Sequence, residues 1–249
     1  MTDLKMADAA PTTSGAATPV LSVQNLEAWY GESHILHGIN FNVNAGEVVT
    51  LLGRNGAGKT TTLKSVMGII GKRTGSIRFG GQDITRTSSD KIARMGVAFC
   101  PEERGIFASL DVRENLLLPP VVRPGGLSLD QIFDLFPNLK ERLNSQGTKL
   151  SGGEQQMLAI ARILRTGARF LMLDEPTEGL APVIIQQIGH TIARLKNEGF
   201  TILLVEQNFR FAATVADRYY IVEHGKVIDG FANSDLQANM DKLHTYLGV

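Results

Sequence analysis

A short glycine-rich run constrains the fold of this chain more than any other feature. The run is GRNGAGKTT, residues 53–61, and it follows the apolar stretch EVVTLL and leads into the helix-like TTLKSVM. It fits the spacing G-x-x-x-x-G-K-[ST] through Gly53, Gly58, Lys59 and Thr60. Glycines allow a turn so tight that successive N–H groups converge on an anion, and the N-terminus of the helix adds partial positive charge. The run therefore predicts a strand, a phosphate-binding loop and a helix.

Two side chains of this phosphate loop carry the expected chemistry. Lys59 is placed to reach the β- and γ-phosphates of a nucleotide, and the Thr60 hydroxyl to take a coordination position on Mg²⁺. A glycine-rich turn without a ligand is the alternative, but the complete spacing between a strand and a helix favours a nucleotide site. The residues assigned to nucleotide binding here are Gly53, Arg54, Asn55, Gly56, Ala57, Gly58, Lys59, Thr60 and Thr61.

Two adjacent carboxylates follow a second apolar run. The string RFLMLDEP ends in Asp174 and Glu175, and ligands of parallel α/β folds bind at the carboxyl ends of such strands. We expect Asp174 to hold Mg²⁺ through water and Glu175 to polarise the attacking water. A carboxylate pair at this place could instead cap the next helix, but its occurrence after a phosphate loop favours the catalytic interpretation.

Hydrophobic periodicity predicts the rest of the fold. The runs VVTLLG, RFLML and TILLV are apolar on both faces, which is typical of buried parallel strands, whereas VLSVQNLEAWYG and YYIVEHGKVI indicate antiparallel strands. The string APVIIQQIGHTIARLKNEG predicts a crossover helix, with Pro182 near its start and Gly199 just past its end. A mostly helical pattern over about residues 85–165 predicts an inserted helical subdomain. The expected class is α/β, with a mostly parallel core sheet and an antiparallel β subdomain.

Composition indicates which partners and which cellular compartment are expected for the chain. Lysine and arginine (25) balance aspartate and glutamate (25), so the bulk charge does not favour a nucleic-acid partner. The single cysteine, Cys100, cannot form an internal disulfide, which favours a reducing compartment. No run reaches the roughly 18 apolar residues of a membrane-spanning helix, and the N-terminus lacks the apolar stretch of a signal peptide. We therefore predict a cytosolic chain with a disordered leader at residues 1–19 and one domain at residues 20–249.

A third string, KLSGGEQQMLAIARIL, begins with a helix-capping pattern. Ser151 and Glu154 form an S-x-x-E capping box, and the glycines between them leave a helix N-terminus open to an anion. Capping alone does not account for LSGGEQQ, which resembles the signature of ABC ATPases; the resemblance covers residues 20–249. It implies a P-loop NTPase core, and two such domains that pack head to tail with ATP between the phosphate loop of one and the signature of the other. The residues then expected to serve the partner's nucleotide are Ser151, Gly152, Gly153 and Glu154.

The same resemblance assigns three further residues. Tyr30, just before a glycine, matches the aromatic residue that stacks on adenine, with Trp29 as the alternative. The string FCPEERGIF has Glu102 where most members carry a glutamine that contacts Mg²⁺ and the attacking water. A glutamate can still coordinate Mg²⁺ through oxygen, so Glu102 is assigned to nucleotide and metal binding.

The string TILLVEQN places Gln207 where most members carry a histidine at the γ-phosphate. An amide can donate a hydrogen bond but cannot become cationic, so Gln207 is expected to act in catalysis without titrating. Its neighbour Glu206 is interpreted as a loop residue or as a group behind the site. In a further departure, Ala181 stands where many members have an aspartate that crosses the dimer. A non-hydrolysing site is the alternative that these departures leave open.

Longer strings narrow the family further. The segment from Tyr30 to Gly68, the string LDEPTEGLAPVIIQQI and the terminal TYLGV are similar to the ATP-binding subunit of branched-chain amino acid importers, the LivF type. This implies an ATPase at the cytoplasmic face of the cell membrane, which works with a second ATPase subunit, two permease subunits and an extracytoplasmic solute-binding protein. Relatives of this type also serve urea, short amides or aromatic acids. A non-transport ABC ATPase and a regulatory nucleotide-binding module are the other classes considered.

The resemblance also suggests where a permease would bind. The surface after Glu102, with Ile106, Phe107 and Leu110, is expected to receive a short cytoplasmic helix of the permease. The same apolar residues could instead belong to the core of the helical subdomain.

Overall fold

The computed structural model describes residues 18–248 and arranges its strands in two sheets. The predicted leader at residues 1–19 lies outside the described residues apart from its last two positions. Within residues 18–248, every helix is too short or too polar to cross a membrane.

The smaller sheet is antiparallel and comes mostly from the N-terminal part of the chain. Its strands are β1 (Leu21–Tyr30), β2 (Ser33–Val43), β4 (Lys72–Phe79) and β5 (Gln82–Asp83). They pair in the order β2-β1-β4-β5. The antiparallel strands that the alternating runs predict are therefore present.

The larger sheet forms the centre of the molecule. Its strands are β3 (Val48–Leu52), β6 (Val97–Cys100), β7 (Phe170–Asp174), β8 (Thr201–Glu206), β9 (Arg218–Glu223) and β10 (Lys226–Ala232). They pair in the order β10-β9-β3-β8-β7-β6, and only the β9–β10 pair of this sheet is antiparallel. The mostly parallel core sheet is confirmed.

Helices cover the larger sheet or connect its strands. In the described part of the chain they are α1 (Lys59–Val66), α2 (Ser89–Arg94), α3 (Val112–Leu117), α4 (Leu129–Leu135), α5 (Pro137–Glu141), α6 (Gly152–Leu164), α7 (Pro182–Asn197), α8 (Phe209–Val215) and α9 (Met240–Leu247). Helix α7 begins at Pro182 and Gly199 follows its end, as predicted. Residues 97–100 lie inside the range given to the helical subdomain but form a strand of the larger sheet, with α3 to α6 following it. The domain boundaries stay a prediction.

Strand β8 shows why the larger sheet is apolar on both faces. All six of its residues are buried. Ile202 and Leu204 pack in one core with residues of α6 and α7, whereas Leu203 and Val205 pack in another with residues of α1 and the smaller sheet. Because both faces of such a strand are buried, its sequence is a continuous apolar run instead of an alternation of apolar and polar residues.

The strand order brings the predicted functional strings together. Strands β3, β8, β7 and β6 are neighbours and run parallel, so their carboxyl ends lie at one edge of the sheet. The phosphate loop follows β3, Gln207 follows β8, Glu175 follows β7, and Glu102 lies two residues beyond β6. This edge is where ligands of open parallel sheets bind.

Candidate functional site

A cavity of about 390 Å³ opens at this edge of the sheet. Its lining includes the phosphate loop and several carboxylates. The residues that line it are Tyr30, Ile35, Asn55, Gly56, Gly58, Lys59, Thr60, Thr61, Glu102, Glu175 and Glu178. The cavity therefore combines residues predicted from four separate segments of the sequence.

The phosphate loop owes its shape to glycines. Gly58 precedes α1 with φ of +104°, in the left-handed region that favours glycine. At Gly53, an added Cβ would lie 2.3 Å from the backbone carbonyl oxygen of Val222, so only glycine fits between the loop and β9. These constraints place the N-terminus of α1, with its free N–H groups and partial positive charge, at the cavity.

Lys59 and Glu175 form a buried ion pair within this cavity. Their Nζ and Oε1 atoms are 3.0 Å apart, and the side chains are only 3% and 9% exposed. The Lys59 ammonium also donates to the backbone carbonyls of Gly53 at 2.8 Å and Arg54 at 3.1 Å. The Lys59 ammonium is therefore already bound to three oxygen atoms of the protein. A phosphate that binds in the cavity would compete with Glu175 for this ammonium.

The two carboxylate oxygens of Asp174 differ in their hydrogen bonding. Its Oδ1 accepts a hydrogen bond from the Thr60 hydroxyl at 3.0 Å. Its Oδ2 is buried and lacks a hydrogen-bond partner within residues 18–248. Burial, helped by the like charges of Glu175 and Glu102, raises the pKa of Asp174 to about 6 against the effect of the Thr60 hydrogen bond. An unpaired carboxylate oxygen among like charges and beside a hydroxyl is a donor set that fits Mg²⁺.

Glu175 itself sits in a strained backbone conformation. Its φ is +44°, in the left-handed region that residues other than glycine rarely adopt. Its N–H donates to the carbonyl of Val205 in β8 at 2.9 Å, and its own carbonyl accepts from the N–H of Glu178 at 3.1 Å. The chain therefore turns sharply after β7 and presents the Glu175 carboxylate to Lys59 instead of continuing the strand.

The two residues at the end of the β8 string, Glu206 and Gln207, differ in burial. Gln207, assigned to catalysis, is exposed and lies outside the set of described residues that line the cavity. Glu206, interpreted as a loop residue or as a group behind the site, is buried at 2% exposure and is the last residue of β8. Burial raises its pKa to about 7, against hydrogen bonds from Thr177 and Asn208. The burial of Glu206 follows from strand register, which the sequence alone does not give, because Glu206 pairs with Leu52 at the buried end of β3.

The signature residues form the predicted capping box but are not among the residues that line the cavity. The Ser151 hydroxyl accepts from the Glu154 N–H at 3.3 Å, and the Glu154 carboxylate accepts from the Ser151 N–H at 2.7 Å. A Cβ at Gly153 would lie 2.9 Å from the Ile184 side chain, so the second glycine permits α6 to pack against α7. Of the residues described, none of the four signature positions lines the cavity.

Sequence reasoning missed one cation beside the signature. The Arg104 guanidinium donates to the side-chain oxygen of Gln156 at 3.3 Å and lies 3.4 Å from where a Cβ of Gly152 would be. Arg104 has a φ of +62° and belongs to the loop that also carries Glu102. This loop therefore touches both the cavity and the N-terminus of α6.

The side chains of Tyr30 and Trp29 have different neighbours. Tyr30 is 48% exposed and lines the cavity. Trp29 stacks on His34 with ring centroids 4.4 Å apart and has the Lys72 ammonium over its ring. Of the two aromatic residues considered for a nucleotide base, Tyr30 is the one at the cavity.

Several known proteins are similar to this chain in sequence. The family model described as "ABC transporter" matches residues 36–178. BraG of Pseudomonas aeruginosa, a high-affinity branched-chain amino acid transport ATP-binding protein, is 41% identical over 92% of this chain and 100% of its own length. LptB of Escherichia coli K12, a lipopolysaccharide export system ATP-binding protein, is 34% identical over 92% of this chain and 97% of LptB.

A solved structure extends the agreement to the whole fold. It is a nucleotide-free ATP-binding cassette from an ABC transporter, with a TM-score of 0.80, 23% identity, and coverage of 93% of this chain and 99% of that one. The predicted α/β fold class with its P-loop core is confirmed. This chain therefore belongs to the ABC transporter family, in which it is an ATP-binding subunit with ATPase activity.

Proposed function

We propose that this chain powers the import of branched-chain amino acids, or of a related small polar or organic-acid solute, through separate permease subunits. Lys59, Thr60 and Glu175 meet at one cavity, and Asp174 accepts a hydrogen bond from Thr60 there; this arrangement supports the hydrolytic role. The identity of 41% to BraG over the full length of that protein supports the class of solute.

The hydrolysis is an in-line attack of water on the γ-phosphorus of ATP, so positioning and charge neutralisation supply most of the catalysis. Lys59 neutralises the β- and γ-phosphate oxygens, and Glu175, released from Lys59 by the phosphate, orients the attacking water and accepts its proton. Gln207 donates a hydrogen bond to the γ-phosphate. Tyr30 stacks on the adenine.

The donor set at the cavity also has a place for Mg²⁺. Thr60, Asp174 and Glu102 would hold the ion, through oxygen ligands of the kind that it prefers. When bound, it neutralises charge on the phosphate oxygens. The raised pKa of Asp174 is consistent with this assignment, because a nearby cation favours the ionised carboxylate that burial and the adjacent carboxylates disfavour.

A second ATPase subunit completes the site. Ser151, Gly152, Gly153 and Glu154 lie at the N-terminus of α6 and do not line the cavity of their own chain, and a helix N-terminus can bind the γ-phosphate of a partner's ATP. The partner is a second copy or a related chain. By its resemblance to the ATP-binding subunits of branched-chain amino acid importers, the assembly contains two integral-membrane permease subunits and receives solute from an extracytoplasmic binding protein, and this chain lies peripherally at the cytoplasmic face of the membrane.

The three residues predicted to bind the permease differ in their burial. Ile106 packs against the core of the helices, Leu110 is half-buried, and Phe107 is 49% exposed. An apolar groove of about 450 Å³ offers a further surface, and Ile69, at 50% exposure, lines it. The other residues of that groove are Met67, Ser89, Asp90, Ala93, Val97, Ala98, Phe99, Pro119, Pro120, Val122, Ile163 and Thr166. We assign Phe107 and this groove to a short amphipathic helix of the permease.

Phe107→Ser and Ile69→Ser test that assignment. Each change removes an exposed apolar contact, so we expect unchanged ATPase activity in the detached chain and solute uptake by the whole transporter reduced by about tenfold or more. Val183→Ser is the matched control, since Val183 is 67% exposed and lies outside both surfaces. Loss of ATPase activity together with uptake would assign these residues to the core instead.

Gln207→His tests the catalytic assignment of Gln207. An imidazole in that position titrates near its usual pKa of about 6.5, so we expect the variant to gain a limb near that pH in its ATPase profile, to which position 207 contributes none in the wild type. Gln207→Asn, which keeps an amide, is the control that gains no limb. If Gln207→His leaves both the rate and the pH profile unchanged, Gln207 is a loop residue.

LptB suggests a second candidate, an ATPase for lipid export, because it is 34% identical over a similar span. Uptake of urea, amides or aromatic acids is a closer variant of the first proposal. Affinity purification of the tagged chain from its native membranes distinguishes them. We expect two permease subunits and a second ATPase to co-purify, and the cognate binding protein to bind leucine, isoleucine or valine. Recovery of lipopolysaccharide-export components would support the second candidate, and recovery without membrane proteins would contradict both.

A further inference from the structure

We propose that Glu206 is a positioning residue for ATP hydrolysis, whose buried carboxylate ties the turn that carries Glu175 to the loop that carries Gln207. This inference rests on the proposed function, since it assigns to Glu206 the task of holding two residues that act on ATP.

The hydrogen bonds of Glu206 reach into both loops. Its Oε1 accepts from the N–H of Thr177 at 3.3 Å and from the Thr177 hydroxyl at 2.8 Å. Its Oε2 accepts from the N–H of Asn208 at 3.3 Å. Thr177 lies two residues after Glu175, and Asn208 lies one residue after Gln207. One side chain therefore connects the segments after β7 and β8, each next to a proposed functional residue.

The turn after β7 needs such a connection. Glu175 has a φ of +44°, a conformation that persists only where the surrounding structure enforces it. The N–H of Glu175 is bonded to Val205, and the bonds from Thr177 to Glu206 fix the turn two residues later. The end of β8 therefore holds this turn on both sides of the strained residue.

The burial of Glu206 fits a role that depends on its charge-bearing oxygens. A buried carboxylate is unfavourable unless hydrogen bonds compensate for the lost water, and here three donors from two loops do so. Every other residue of β8 except Thr201 is apolar. The charged group that faces Glu206 across the turn is Glu175, whose carboxylate is occupied by Lys59. Glu206 thus supplies hydrogen-bond acceptors to the donors of both loops. An apolar side chain at this position could fill the same space, but it would leave those donors unpaired.

Glu206→Gln tests the proposal, because it keeps the shape of the side chain but replaces one acceptor oxygen with an NH₂ group that meets N–H donors. In the transporter complex we expect kcat to fall by roughly tenfold, since small misplacements of catalytic groups have effects of this size or larger, while the KM for ATP changes by less than about twofold. Thr177→Val should lower kcat in the same way, and Thr177→Ser, which restores the hydroxyl, should return it. Combining Glu206→Gln with Thr177→Val should add little, because both break the same connection.

The controls separate this inference from the proposed function. Glu198→Gln changes an exposed glutamate that pairs with Arg194 and should leave kcat unchanged. If the wild type hydrolyses ATP, Glu175→Gln does not, and Glu206→Gln turns over at the wild-type rate, only the role of Glu206 is overturned. A wild type that does not hydrolyse ATP overturns the proposed function. If Glu206→Gln fails to fold, the pair Thr177→Val and Thr177→Ser decides: equal kcat in the two contradicts the inference.

Discussion

Glu175→Gln stops ATP hydrolysis while ATP still binds. We expect kcat to fall by about 10²–10⁴-fold, the range for loss of a general base, because an amide cannot accept the proton of the attacking water. Binding should persist or tighten, because a neutral amide competes less than a carboxylate for the Lys59 ammonium, which lies 3.0 Å from Glu175 in this structure. Single-turnover hydrolysis and equilibrium binding of labelled ATP measure the two effects separately.

Glu178→Gln is the matched control for this prediction. Glu178 lines the same cavity, is exposed, and lies three residues further along the chain. It should keep nearly wild-type turnover. Hydrolysis by Glu175→Gln at a rate close to that of the wild type would remove Glu175 from the mechanism, and a loss of ATP binding would assign the residue to binding instead.

Lys59→Ala should have the second large effect, on ATP binding and on folding stability together. The lysine supplies the cation of the phosphate loop, so its loss removes charge-assisted hydrogen bonds to phosphate of about 1.5–3 kcal/mol, or roughly tenfold to a hundredfold in affinity. Because Lys59 and Glu175 are both buried, the alanine also leaves a carboxylate without its partner. Breaking a buried pair on one side costs roughly 3–5 kcal/mol of unfolding free energy.

The double variant Lys59→Ala with Glu175→Gln identifies the source of the instability. If the unpaired Glu175 carboxylate causes it, the double variant unfolds at a higher denaturant concentration than Lys59→Ala alone, although it still binds ATP weakly. Lys242→Ala, which removes an exposed lysine paired with Asp229, is the control and should change neither quantity. Equal stability of the single and double variants would contradict the ion-pair explanation.

Much of the fold was predictable because its signals are local. The phosphate loop, the doubly buried strands and helix α7 each depend on residues adjacent in sequence, such as Gly58 before Lys59 or Gly199 after the helix. The family strings placed Glu102, Asp174 and Glu175 at one edge of the sheet, where the structure also has them.

The remaining features depend on packing between segments that are distant in sequence. The ion pair of Lys59 and Glu175 and the hydrogen bonds of Glu206 to Thr177 arise only once β3, β8 and β7 lie side by side. The sequence therefore could not tell that Glu206 would be buried and Gln207 exposed. Strand register decides that difference, because Glu206 is paired with Leu52 whereas Gln207 follows the last residue of the strand.

The role of this chain as the ATPase of an amino-acid importer is tested most directly by uptake into proteoliposomes. The complex co-purified with the tagged chain would be reconstituted with ATP enclosed on the side of this subunit, and labelled leucine, isoleucine or valine supplied with the binding protein outside. We expect ATP-dependent accumulation with the wild type and none with Glu175→Gln. ATP hydrolysis by the wild-type complex without accumulation of any of the three amino acids would contradict the proposed function.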